Sequence, residues 1–189
     1  MRRLMVGGLA AWCAATAAAG SNVTAGVDVQ VLAGSVNGAE LSTLVDGVFL
    51  PHNTNWQDGT VWWDDGATGH TTIQFSFGLS LIRELTVQAD DNDAYRLSYM
   101  GDDNAWHLLW DIPNYDQFGS GMQTRPDPEN DSARFTLPVP VMTSMLLFEG
   151  VDGDSLYSVS EVAAFGDPAP APASLALLGA GCLTLRRRR

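Results

Sequence analysis

Apolar and polar residues alternate with a period of two over much of the chain between residues 72 and 165. In TTIQFSFG, Ile73, Phe75 and Phe77 alternate with Thr72, Gln74 and Ser76; LTVQA continues with Leu85, Val87 and Ala89, and AYRLSYM with Tyr95, Leu97 and Tyr99. Successive side chains of a strand point to opposite faces, so this spacing predicts half-buried strands. AWHLLW (Trp106, Leu108, Trp110), ARFTLPV (Phe135, Leu137), SMLLFEG (Leu146, Phe148) and YSVSEVAAFG (Val159, Phe165) predict further ones. Turn-forming clusters lie between them: DDGATG, ADDNDA, GDDNA, DPEND and GVDGDS. About eight strands with short loops and no amphipathic helix predict an all-β fold, an antiparallel β-sandwich of jelly-roll type.

Both ends break this pattern. Arg2 and Arg3 precede an apolar run over residues 4–15, and Ala17, Ala18 and Ala19 follow it, which is the three-part order of an export signal. Residues 1–19 are therefore expected to form a signal helix, with cleavage after Ala19. At the other end residues 173–185 are apolar and are followed directly by Arg186, Arg187, Arg188 and Arg189. Thirteen residues of helix reach roughly 20 Å, short of a hydrocarbon core of about 30 Å. A short hydrophobic helix with a basic stop suits temporary retention at the inner membrane rather than permanent anchoring. Pro168, Pro170 and Pro172 make residues 167–172 an extended linker that a processing protease can bind.

PAPASLALLGAGCLTLRRRR resembles the PEP-CTERM sorting signal of exopolysaccharide-making Gram-negative bacteria. That resemblance implies recognition by the membrane protease exosortase, processing near Pro170, Ala171 and Pro172, and delivery to the cell surface or extracellular matrix. Ala171 stands where the family has its central glutamate.

Residues 20–166 remain as one domain of ordinary size. All 22 acidic residues fall between the two terminal segments, against four arginines (Arg83, Arg96, Arg125, Arg134) and no lysine, which leaves −18 over residues 20–172. Such a surface repels nucleic acid and anionic lipid and favours cations or neutral sugars. Cys13 and Cys182 lie in the terminal segments, so the domain has no disulfide to lean on and is held by its core, with or without a metal.

LVDG, NTNWQ, the stretch from TTIQFSFG to AWHLLW, and the closing YSVSEVAAFG are similar in order to the discoidin-type, galactose-binding-like jelly rolls found in carbohydrate-binding modules. The likeness runs from about residue 44 to 166. It implies an eight-stranded sandwich whose loops at one end bind a ligand, often beside a structural calcium. It also implies Asp46, Asn55 and Glu161 as calcium ligands, with Asn55 at a position where the family often has threonine. Solvated turn carboxylates are the alternative for this trio, and for the clusters around residues 90–93 and 152–154.

A sugar site needs an aromatic face and a few polar groups aimed at hydroxyls. Trp62 and Trp63 are adjacent, so in an extended segment one points inward and the other outward. Asp91, Asp93 and Arg125 are the polar candidates; core packing for a tryptophan and pairing with a neighbouring aspartate for Arg125 are the alternatives. His52, His70 and His107 are too scattered for a zinc set. No G-x-S-x-G, H-E-x-x-H or phosphate-binding glycine loop is present, so catalysis is not expected. The expected function is that of an exported, non-catalytic protein binding polysaccharide or another glycan. The alternatives are a structural matrix protein and a calcium-dependent adhesin or coat protein without a discrete sugar ligand.

Overall fold

A computed structural model describes residues 20–115, 119 and 121–170. The expected signal helix, Ala171, Pro172, the short hydrophobic helix and Arg186 to Arg189 lie outside the described residues. Ten strands form among those described: β1 (Ser21–Asn22), β2 (Asp28–Ala33), β3 (Asn37–Gly38), β4 (Val61–Asp64), β5 (Thr72–Asp90), β6 (Ala94–Met100), β7 (Trp106–Ile112), β8 (Met122–Arg125), β9 (Phe135–Asp152) and β10 (Leu156–Pro168). A 3-10 turn at Leu41–Val45 and a single helical turn, α1 (Asp65–Thr68), are the helical pieces. Asp64 caps α1 by accepting from the Ala67 amide at 3.0 Å.

All pairings are antiparallel, and the fold is a sandwich. One layer holds β2, the first part of β5, the second part of β9, then β6 and β7. The other holds β8, the second part of β5, β10, β4 and β3, with β1 on the end of β10. Two predicted strands, TTIQFSFG and LTVQA, are thus halves of one bent 19-residue strand. ARFTLPV and SMLLFEG are likewise halves of β9. Pairing between β5 and β9 jumps between Ser76 and Ser80 and again between Ile82 and Glu84, and such irregularities let a strand turn the corner from one layer to the other.

The alternation predicted from sequence holds where the ladder is regular. Ile73, Phe75, Leu85, Val87, Ala89, Tyr95, Leu97, Leu146 and Phe148 are all buried. It fails in β7, where Trp110 is buried but Leu108 is 57% exposed. Leu97 pairs with Trp110 whereas Ser98 pairs with Leu108, so Leu109 is skipped and the side chains before it change face.

The core is centred on Trp63 from one layer against Tyr95 and Phe148 from the other, at ring separations of 6.4 and 6.3 Å, with Tyr157 beside it at 5.5 Å. Burying an aromatic ring removes roughly 150–250 Å² from water, about 4–6 kcal/mol at 25 cal/mol per Å². Tyr95 donates its hydroxyl to the Ser158 carbonyl at 3.0 Å, so the polar tip is satisfied inside.

Candidate functional site

The loops at the β5–β6 and β9–β10 ends meet a third loop, residues 53–56, around one cleft. Its position follows from main-chain pairing: the Asn53 amide donates to the Met122 carbonyl at 2.9 Å, and the Met122 amide donates to the Thr54 carbonyl at 2.9 Å. A side chain at Gly121 would sit 2.3 Å from the Thr54 carbonyl oxygen, so this close approach needs glycine. The Thr60 hydroxyl donates to the Trp56 carbonyl and fixes the far end of the loop. The cleft encloses about 390 Å³ between Asn53, Asn55, Trp56, Asp90, Asn92 and Asp154.

Its aromatic wall is Trp56, half-buried and braced edge-to-face on Trp62 at 5.4 Å. The outward and inward orientations expected for the Trp62–Trp63 pair are found, with Trp63 fully buried in the core and Trp62 half-buried. Trp62 therefore acts behind the wall and Trp63 cannot face a ligand. Trp56 was not among the ligand candidates drawn from the sequence; its position after Asn53 and Asn55, inside a polar loop, was the available signal.

The floor is acidic. Asp91 is buried, and its Oδ1 accepts from the Gly121 amide at 3.3 Å. Asp93 is also buried; its Oδ1 accepts from the Asp154 amide at 3.3 Å, while its Oδ2 has no hydrogen-bond partner. Burial, then the charges of Asp154 and Asp90, push the Asp93 carboxyl up to about 8. Burial likewise lifts Asp90 to about 6, against the amide bond it receives from Asp91. Asn92 reaches Asp154 through its Nδ2 at 3.3 Å. Asp90, Asn92 and Asp154 line the cleft, Asp154 exposed, Asn92 half-buried and Asp90 almost fully buried, while Asp91 and Asp93 are buried.

Arg125 is fully buried. Its guanidinium donates to three main-chain carbonyls, those of Pro113 at 3.3 Å, Gln123 at 3.0 Å and Asp90 at 3.1 Å, and lies 4.4 Å from the centre of the Tyr115 ring. The expected alternatives were a ligand fork or a pairing with a neighbouring aspartate. The geometry shows neither, but a clip that joins the end of β5 to β8 and to the loop after β7.

Asp46 and Glu161 do come together. Glu161 is fully buried, accepts from the Gly47 amide at 3.1 Å through Oε2, and leaves Oε1 without a partner. Burial and the neighbouring Asp46 charge raise its carboxyl to about 8, against the Gly47 hydrogen bond. An orphaned carboxylate oxygen beside a second carboxylate suits a hard cation, which would satisfy the one and neutralise both. Asn55 lines the cleft and accepts from the Gln57 amide at 3.0 Å. Among the described residues no group of three or more histidine, cysteine or acidic side chains is arranged to hold a metal, so a cation at Asp46 and Glu161 would need main-chain or solvent oxygens as well.

No protein-family model matches this chain, and no curated protein does. Solved structures do share its fold. The family 32 carbohydrate-binding module from Streptococcus pneumoniae EndoD superposes with a TM-score of 0.51 at 12% identity, covering 78% of this chain and 100% of that one. The family 32 module from C. perfringens NanJ, in complex with galactose, gives 0.53 at 9% identity, covering 78% and 99%. The module CpGH89CBM32-5 from Clostridium perfringens, in complex with GalNAc-β-1,3-galactose, gives 0.51 at 15% identity, covering 79% and 100%. At such identities the likeness is one of fold alone, an antiparallel β-sandwich.

Proposed function

We propose that this protein is an exported, non-catalytic glycan-binding module and that the cleft beside Trp56 is its sugar site. The observation that carries this reading is the cleft itself. An aromatic wall stands opposite a set of amide and carboxylate oxygens, which is what a pyranose presents partners for: an apolar ring face and a rim of hydroxyls. Two of the structures with this fold hold galactose or a galactose disaccharide, which supports the choice of ligand class. The acidic floor favours a neutral glycan over an anionic one.

In the same reading a structural calcium is held by Asp46 and Glu161. The ion would supply positive charge and order the loop that carries Asp46 and Gly47, and so the start of the segment leading to Trp56. Export by the leading signal, brief retention through the apolar tail, exosortase-type release near Pro170, Ala171 and Pro172, and residence in an exopolysaccharide matrix complete the proposal. Their support is the order of residues at the two ends of the chain.

The test is binding of the purified protein to neutral polysaccharides and a glycan panel, with calcium and then with chelator. Saturable binding that disappears in Trp56→Ala, with the fold intact by circular dichroism, is expected. Absence of binding to every glycan, or equal binding by the variant, would overturn the assignment of the cleft.

A further inference from the structure

β6 begins at the cleft and ends at a second recess, a groove of about 770 Å³ lined by Leu79, Tyr99, Met100, Val139, Met142 and Met145. Three of its apolar side chains stand largely in water: Leu79 is 52%, Val139 72% and Met142 48% exposed. Methionines on such a surface adapt to whatever packs against them. Contiguous exposed apolar patches mark docking sites more often than chance. At one rim the β6–β7 turn carries Asp102 and Asp103, both exposed.

Two observations say what covers it. The first is where the chain goes. β10 ends beside this groove, with Pro168 paired to Ser80 and the Ala169 amide donating to the carbonyl of Leu79 at 2.7 Å. Residues 173–185, the longest apolar stretch outside the described structure's C-terminal end, begin three residues after Pro170. That separation spans at most about 10 Å. The second is charge. The apolar stretch is followed at once by Arg186, Arg187, Arg188 and Arg189, and the groove is apolar with an acidic rim, so the order of the tail matches the order of the surface. A segment tethered so closely meets the groove at an effective concentration of the order of millimolar, far above any free competitor.

We propose that the groove is the docking site of the protein's own C-terminal apolar segment, residues 173–185, with the following arginines against Asp102 and Asp103. The contact shields the segment from water until a membrane takes it. A cut between Pro170 and Ala173 removes the occupant and leaves the groove free.

The tail carries its own probe in Cys182. In the full chain with Cys13→Ala, Val139→Cys or Met142→Cys is combined with mild oxidant, in the absence of detergent and over a dilution series. Leu32→Cys, 50% exposed on β2, serves as the reference. The expected result is a cross-link to Cys182 within one chain, independent of concentration, and at least tenfold faster from the groove positions than from position 32. Adding Asp102→Asn and Asp103→Asn should slow it about threefold at low salt and not at high salt. Equal rates from the groove and from position 32 would overturn the proposal, and so would cross-links that form only between two chains. Because Val139 and Met142 are exposed, their replacement leaves the fold intact, so a slow reaction cannot be ascribed to unfolding.

Discussion

The two ends of β6 have opposite chemistry. At its start, Asp90, Asn92 and Asp154 face a cleft whose apolar side chains are Trp56 and Leu156; at its finish, Leu79, Val139 and three methionines face a groove shared with Asp102, Asp103 and His107. Seven residues of strand, roughly 20 Å, separate them. The polar end is over-determined: Arg125 clips three carbonyls, Gly121 and Gly153 admit close approaches, and Asp91 and Asp93 are tied to main-chain amides. At the apolar end Thr143 bonds the Met100 and Met145 carbonyls, but Leu79, Val139 and Met142 stand largely in water. Rigid polar geometry is what selecting a hydroxylated ligand demands, whereas a loose apolar surface suits a partner recognised mainly by its hydrophobicity.

Removing the clip should show this contrast most strongly. Arg125→Ala strands three buried carbonyls, each costing about 1–3 kcal/mol, so the total loss should be roughly 3 kcal/mol or more by urea denaturation. Arg125→Lys should recover little of it, since an ammonium lacks the planar fork. A loss below about 1 kcal/mol would mean that the polar end is not held as described. Next in size, Trp56→Ala should weaken glycan binding at least tenfold while the melting temperature moves little, because Trp56 sits on the surface of the cleft rather than in the core.

The buried carboxyls give a smaller, pH-dependent effect. Asp93 has an ordinary value of 3.8 and a folded value of about 8, so the folded chain keeps a proton that the unfolded chain releases. Stability from this group is therefore greatest below about pH 4 and falls as pH rises to about 8. Asp90 adds the same sign up to about 6, and Glu161 between 4.5 and about 8. In chelator the melting temperature should be higher at pH 5 than at pH 8 by about 3 °C or more, and Asp93→Asn should reduce the difference. Calcium should restore stability at pH 8 in the wild type and not in Glu161→Gln. The smallest effect belongs to the other end: Val139→Asp should change stability by no more than about 0.5 kcal/mol and leave glycan affinity unchanged. A loss of glycan binding in that variant would join two regions that the structure keeps apart.

The strands were legible because their inner faces are aliphatic or aromatic at every second residue, from Ile73 to Phe148. Their grouping was not. Where β5 passes from one layer to the other, residues 79–84 fall in neither predicted strand, although the strand continues. The buried run from Leu85 to Asp90 includes Thr86, Gln88 and Asp90, polar residues that periodicity assigns to solvent. Gln88 bonds the Leu50 carbonyl at 2.9 Å and Thr86 the Ala133 carbonyl at 2.7 Å, so loops cover the outer face there. The same covering hid Arg125, whose partners are main-chain carbonyls and leave no trace in side-chain composition. Trp62 and Trp63 were separated correctly by alternation alone. The meeting of Asp46 with Glu161 came from the likeness to discoidin-type modules, not from any local spacing, since Gly47 and Glu161 stand 114 positions apart.

β10 pairs with β4 over residues 156–159 and with β5 over residues 159–168, and β1 joins it near its end, so the described chain both starts and finishes on this one strand. Force applied to the chain at Pro168 runs along the axis of β10. It loads the rungs to β5, and the two to β1, together in shear instead of opening them singly. A strand placed this way makes a strong point of attachment: a domain tugged by its tail resists through the long ladder to β5 rather than through its last few residues.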